Sequence, residues 1–388
     1  MSGDRRIAIL STMAGMPWGG SEELWADAAD AALDDGQAIG LFLHRWPQVP
    51  ARVQALVARG ASLRRRGRSI RGPAERALAR IAARPVSLPA VPGGSATVRG
   101  LAAFRPDVVI ASEGTLCALA AMRDVCDWLA QARTPYVTVC QHVADDHIPT
   151  PALQARAVAC YRDAAPAAFV ARGNVESAER VLAARLPHAV VLANPVNLRG
   201  ATALPAPPPG PARFASVARL DARTKGQDVL FVALSSPAWR ARDWVLRLFG
   251  TGPDEAYLRR LAAAFGVADR VEFAGHCADV RAIWAEHDLL VLSSRSEGTP
   301  LALVEAMLCG RPAVVTDVGG SAEWVEDGAT GWIAAAPTPH AVADALERAW
   351  NARGAWAAMG ARAHHAAAAR RDPEPGRTLL DLAIAAAS

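Results

Sequence analysis

The chain has 388 residues, 52% of them hydrophobic and 21% charged, with 42 basic against 38 acidic side chains. That length suits two α/β domains better than one, and the apolar content excludes wholesale disorder. A net charge of +4 suits small anionic ligands, while 6% aromatics and the lack of any nucleic-acid motif leave no platform for stacking bases.

In chain order, Arg6–Met13 reads as a first strand, since the opening MSGDRRIAILSTM holds two arginines and a short apolar run but no signal-peptide cleavage pattern. The loop Met13-Ala-Gly-Met-Pro-Trp-Gly-Gly-Ser-Glu-Glu23 follows, and Gly19 and Gly20 let a ligand approach the backbone. Ser21 reads as the N-cap of a helix over Glu22–Asp35. A strand at Ala38–His44 comes next. Arg59–Arg84 then carries Arg59, Arg64, Arg65, Arg66, Arg68, Arg71, Arg76, Arg80 and Arg84 against Glu75 alone. Two readings stay open there: a solvated loop, or a contact for an anionic acceptor or an anionic membrane leaflet.

Strands follow at Asp107–Ser112, Tyr136–His142 and Ala167–Arg172, with a helix to Ala130 between the first two. Nearly continuous apolar strands separated by helices point to parallel sheets covered on both faces. His142 sits at the carboxyl edge of its strand, where ligands of such sheets bind. Glu113 either faces an acceptor or serves a helix N-terminus. His142, Asp145, Asp146 and His147 do not read as a metal site. The six cysteines include no Cys-x-x-Cys pair and read as reduced thiols of a cytoplasmic protein. No apolar stretch reaches the roughly 18 residues that span a bilayer.

Leu204–Arg213 holds five prolines in ten residues, a stiff linker. Beyond it a second series of strands begins: Arg213–Arg219, Val245–Gly250, Val271–Gly275, Leu289–Ser294 and Pro312–Asp317. The expected organisation is an acceptor-side domain over 1–200, a linker over 201–212, a nucleotide-binding domain over 213–370, and a helical segment over 371–388 that can return to the first domain. The two doubly wound domains are expected to face a central cleft.

Ser294-Arg-Ser-Glu-Gly-Thr-Pro-Leu-Ala-Leu-Val-Glu-Ala-Met307 is the richest segment. Thr299 reads as an N-cap and Pro300 as the first helical residue. Glu297 then lies in the loop ahead of the helix, and Glu305 lies roughly 7–8 Å along it, at about 1.5 Å per residue. The helix start offers unpaired N–H groups and a positive dipole end, which suit a phosphate. An anionic diphosphate there needs cations. Arg219, ending a strand, and Lys225, opening the next helix, supply them; Arg223 ranks lower.

Three features then resemble the retaining glycosyltransferases of family 4, with the GT-B fold. They are Arg219 with Lys225-Gly226, Gly250-Thr-Gly-Pro253 followed by Val271-Glu-Phe-Ala-Gly275, and Glu297-Gly-Thr-Pro…Glu305-Ala-Met. The likeness is strongest over about residues 213–350. It implies that Glu297 contacts donor-sugar hydroxyls and Glu305 the ribose. It implies that Arg219 and Lys225 hold the diphosphate, with Gly298 and the amides near Thr299, Pro300 and Leu301. The loop Gly275-His276-Cys277 would border the base, and Gly19-Gly20 would reach the donor phosphate or the acceptor. His142 would contact the reaction centre. Asn194-Pro-Val-Asn197 departs from the family's usual Asn-Gly-Val-Asp.

The expected activity is transfer of a sugar from a UDP or GDP donor, with retention, to a glycan, lipid-linked glycan or small-molecule acceptor. No cofactor and no metal are expected, because no Asp-x-Asp occurs and Arg, Lys and a helix dipole can replace the ion. Cell-surface polysaccharide or glycolipid synthesis is the expected context, in the cytoplasm or at the inner face of the membrane. Natural-product glycosylation, an epimerase or phosphorylase on the same fold, and a catalytically silent nucleotide-sugar sensor are the rivals.

Overall fold

The computed structural model describes residues 5–66, 95–144, 148–198, 200 and 202–388. They form two compact units. The first takes in residues up to Val170, Val175–Pro195 and Glu374–Ser388; the second takes in Ala171–Asn174 and Val196–Pro373.

In the first unit the described strands are β1 (Arg6–Ser11), β2 (Ala38–Leu43), β3 (Ser62–Arg65), β4 (Val108–Glu113), β5 (Tyr136–Cys140), β6 (Ala167–Phe169) and β7 (Ala189–Val191). They pair in parallel in the order β3-β2-β1-β4-β5-β6-β7. Side chains alternate across the pleat, so Ala8 and Leu10 enter one core while Ile7 and Ile9 enter the other. Both faces are therefore apolar, which is why the strands read as unbroken hydrophobic runs. The helix Pro375–Ala386 buries Leu379, Leu380 and Ala383 against the helix Gly20–Asp34 and the β4–β5 part of this sheet. It is fastened there by Arg5, whose guanidinium donates to the Ile384 carbonyl at 2.8 Å.

The second unit holds β8 (Ala212–Val217), β9 (Trp244–Phe249), β10 (Val271–Gly275), β11 (Leu289–Leu292), β12 (Ala313–Thr316) and β13 (Gly331–Ala334). These are parallel in the order β10-β9-β8-β11-β12-β13. The same alternation sends Phe214 into a core rich in tryptophan and Ala215 into the opposite one. In both sheets the strand order reverses beside the first strand of the unit, at β1/β4 and at β8/β11. Loops leaving the carboxyl ends of those pairs diverge and leave a crevice.

Several boundaries differ from the sequence expectation. β1 stops at Ser11 and β5 at Cys140, so the loops carrying Met13 and His142 begin earlier. The first helix runs Gly20–Asp34 with Gly19 as its cap, so Ser21 lies inside the first turn and caps nothing. The proline-rich stretch is pinned to the second unit: Leu204 N–H donates to the Cys309 carbonyl at 3.1 Å, and Arg311 donates to the Pro205 carbonyl at 2.5 Å. Among the described residues no helix is long and apolar enough to cross a membrane.

Candidate functional site

The crevice of the second sheet is built by the loops after β8 and β11. After β8 the chain turns through Ala222–Lys225, a single helical turn capped by Asp221, whose carboxylate accepts from Thr224 N–H at 3.3 Å. Lys225 closes this turn and does not open the next helix, because Gly226 at φ 63° breaks the two apart. A Cβ on Gly226 would lie 2.0 Å from the Ser293 carbonyl oxygen. Only glycine fits, and it lets the β8 turn press against the β11 loop.

That contact is extensive. Ser293 Oγ donates to the Gly226 carbonyl at 2.6 Å, and Arg295 N–H donates to the Thr224 carbonyl at 2.8 Å. The Arg295 guanidinium grips Asp228 with two bonds of 2.7 Å. The outcome is at Glu297. Lys225 Nζ donates to both of its carboxylate oxygens, at 2.8 and 2.7 Å, and Ser294 Oγ donates to one of them at 2.7 Å. Glu297 is only 6% exposed. Gly226→Ala is expected to destabilise the chain by about 2 kcal/mol or more, since φ strain and a backbone clash coincide. Chemical denaturation measures this, and a parent-like stability would show that the turn does not depend on that close approach.

The Glu297-Gly298 backbone is held from two more sides. Asn174, in the segment that belongs to this unit, donates through Nδ2 to the Glu297 carbonyl at 3.1 Å. Gly320 N–H donates to the Gly298 carbonyl at 2.7 Å, and Gly319 sits at φ 54° where a Cβ would be 2.2 Å from the Glu297 oxygen. The helix that follows runs Leu301–Leu308 with Pro300 as N-cap, one residue later than expected from Thr299. Pro300 takes an extended ψ of 108°, so its fixed φ serves the cap and not the first turn. Glu305 lies on this helix, 6% exposed. Burial pushes its carboxyl up to about 7, against a hydrogen bond from the Asn197 backbone N–H.

The remaining residues named from sequence for this unit follow β8, β9, β10 and β11. Arg219 follows β8 with an exposed side chain, and its carbonyl accepts from the buried Gln227 Nε2 at 2.8 Å. Gly250 and Gly252 pack against the Ala218 and Leu220 carbonyls, where a Cβ on either would lie 2.2 Å away. Cys277 is half-buried and Thr299 and Leu301 partly so, while His276 is exposed.

In the first unit, Gly19 caps the first helix with extended backbone, and a Cβ there would meet only the flexible Met16 sulfur at 3.2 Å. Its backbone does not itself demand glycine. His142 lies two residues past β5, half-buried. Glu113 is buried at the end of β4 and accepts from Leu119 N–H at 2.7 Å; burial lifts its carboxyl to about 7. Of its two sequence readings, the N-terminal role in a following turn matches this contact. At the end of β1, the buried Glu22 accepts from Ser11 Oγ at 2.9 Å, and burial raises its carboxyl. Of the arginine-rich segment, Arg59 pairs with Asp30 and Asp34, Arg64 covers the Phe104 ring, and Arg65 and Arg66 donate to the Trp46 and Met13 carbonyls. These four are engaged by their own unit; residues 67–84 lie outside the described residues, as do Asp145, Asp146 and His147. Among the described residues no cluster of three or more metal-ligating side chains occurs.

Sequence reading missed Ser294, Asn174, Gly319 and Ser11. Ser294 was within reach, because a Ser three residues ahead of a Glu is a familiar local pairing. Asn174 lies 123 residues from Glu297 and gave no local signal.

The glycosyl transferases group 1 family model matches residues 211–352, the stretch that holds β8 to β13. Over 102 residues the chain is 37% identical to N-acetyl-alpha-D-glucosaminyl L-malate synthase of Bacillus anthracis, covering 26% of this chain and 27% of that protein. Over 146 residues it is 34% identical to a GDP-mannose-dependent alpha-(1-6)-phosphatidylinositol monomannoside mannosyltransferase of Mycobacterium tuberculosis, covering 35% of this chain and 38% of that one. The chain thus spans well under half the length of the curated relatives it matches. The crystal structure of Anabaena HepE in complex with UDP and glucose shares the fold, with a TM-score of 0.69, 20% identity and 97% of each chain covered.

Proposed function

We propose that this chain, which has the GT-B fold, is a family 4 glycosyltransferase that moves a sugar from a nucleoside-diphosphate donor to an acceptor hydroxyl with retention at the anomeric carbon. The observation that carries the proposal is the Lys225–Glu297 contact of 2.7–2.8 Å at the β8/β11 reversal. A cation and a hydroxyl-accepting carboxylate are set side by side where a ligand of such a sheet binds. Lys225, Arg219 and the first amides of Leu301–Leu308 take the diphosphate. Glu297 and Glu305 accept hydroxyls of the donor sugar and the ribose. Gly19 and Gly20 reach the donor phosphate or the acceptor, His142 contacts the reaction centre, and the loop at Cys277 borders the base.

Transfer proceeds on one face of the sugar. The bond from the anomeric carbon to the diphosphate breaks, the acceptor oxygen arrives on the same side, and the departing phosphate takes the acceptor's proton. Stabilising that phosphate with preset charges and amides is the protein's main contribution. UDP and GDP are the donor nucleotides in view, since HepE is seen with UDP and the mycobacterial relative is named for GDP-mannose. The acceptor belongs to cell-surface polysaccharide or glycolipid synthesis, at the cytoplasmic side of the membrane; contact with that surface through the arginine-rich segment rests on the sequence alone.

A panel of UDP- and GDP-sugars, each with and without candidate acceptors, tests this. Acceptor-dependent release of nucleoside diphosphate is expected for one donor, unchanged in excess chelator because Lys and Arg replace the metal. Loss of activity in chelator removes metal independence. Conversion of the sugar without acceptor would mark an epimerase, and binding with neither reaction would mark a sensor.

A further inference from the structure

The first unit holds a thiol pair that the transfer reaction leaves unused. Cys126 lies on the helix Arg123–Ala132 and Cys160 on the helix Pro151–Asp163, with their Sγ atoms 3.1 Å apart. Each cysteine is held in place by other contacts. Cys126 Sγ also lies 3.3 Å from the Leu119 carbonyl oxygen, and the Tyr136 hydroxyl donates to the Cys160 carbonyl at 2.7 Å. Cys126 is half-buried and Cys160 is 8% exposed, and their contact is part-buried.

We infer that Cys126 and Cys160 form an oxidisable dithiol site that accepts a small hydroperoxide and closes to an intrachain disulfide. Their mutual contact favours the thiolate on Cys160 and keeps the proton on Cys126. The Cys160 thiolate attacks one peroxide oxygen, the O–O bond breaks, and water leaves after proton uptake, giving a sulfenic acid. The Cys126 sulfur then attacks the Cys160 sulfur, the S–O bond breaks, and a second water carries off the Cys126 proton. Two thiols are oxidised by two electrons, and one hydrogen peroxide becomes two waters.

The other cysteines lack this arrangement. Burial pushes the Cys117 thiol up to about 12 and Cys309 up to about 11, and holds Cys140 well above its ordinary value, so these thiols stay protonated. Cys277 is half-buried in the second unit, beside the Asp279 carbonyl at 3.4 Å. The bridge would join the helices that follow β4 and β5.

The test uses the intact chain, reduced, desalted, and exposed to a small excess of hydrogen peroxide, then alkylated and digested with trypsin without reduction. The cysteines fall in separate peptides, Asp124–Arg133 and Ala157–Arg162. The expected product is these two peptides linked, two hydrogens lighter than their sum, forming ahead of oxidation at any other cysteine and reversed by dithiothreitol. Cys126→Ser is expected to leave Cys160 as a sulfenic acid that dimedone traps. Recovery of both peptides separately alkylated while Cys277 is oxidised, or linkage of either one to a different cysteine, overturns the assignment.

Discussion

Lys225→Ala is expected to lower acceptor-dependent release of nucleoside diphosphate by roughly 10²–10³-fold, the usual loss for one preset group that stabilises developing charge. The change also acts on the resting protein. Lys225 donates two hydrogen bonds to the Glu297 carboxylate, beside the one from Ser294, and that side chain is 7% exposed. Removing the cation takes a charged partner from a buried carboxylate, so a lowered melting temperature is expected as well. The two effects separate in a double-mutant cycle with Glu297→Gln. The double variant should regain stability, since no uncompensated charge is left, and should stay inactive. Arg219→Ala is the comparison: its side chain is exposed, so turnover should fall with the melting temperature unchanged. Turnover within a few-fold of the parent in Lys225→Ala removes the phosphate role.

The fold was largely legible in the sequence, because strands buried on both faces leave continuous apolar runs such as Ile7–Leu10 and Leu289–Leu292. β3 was not. Its Ser-Leu-Arg-Arg reads as a charged loop, yet among the described strands it is the edge strand beside β2, where the Arg64 guanidinium lies over the Phe104 ring and Arg65 is exposed. β13 was hidden by Gly331, which resembles a turn signal. Its real cause is close approach, since a Cβ there would lie 2.4 Å from the Ala313 carbonyl oxygen. At the site, residue types and chain order pointed to Lys225 and Glu297, which the fold brings into contact across 72 residues. The turn that delivers Lys225 was misplaced, because a positive φ at Gly226 cannot be told from an ordinary helical glycine in sequence. Bracing by Asn174 is a tertiary event with no local trace.

Glu305→Gln should flatten the pH dependence of stability and weaken donor binding together. Burial holds the Glu305 carboxyl at about 7 in the folded chain, against an ordinary value of 4.5. Between those values the folded state binds more protons than the unfolded one, so stability falls as pH rises. The stabilising contribution is fully present below about 4.5 and gone above about 7, and the difference amounts to about 3 kcal/mol. Glutamine is neutral throughout and can still accept from the Asn197 N–H. The variant should therefore match the parent near pH 5 and exceed it by up to that amount at pH 8, as read from urea unfolding. Donor affinity should move the other way. An ionised carboxylate is the stronger acceptor for ribose hydroxyls, so the parent should bind donor better as pH passes about 7, and the variant should lose about 10-fold or more at pH 8. A parent-like pH slope in the variant would assign the titration to another group, with Glu113 the first to examine because burial lifts it to the same range. An unchanged donor Kd at pH 8 would take Glu305 out of the donor site. The carboxylate is kept at a loss of stability because its charge is useful only once hydroxyls arrive to replace the water it gave up.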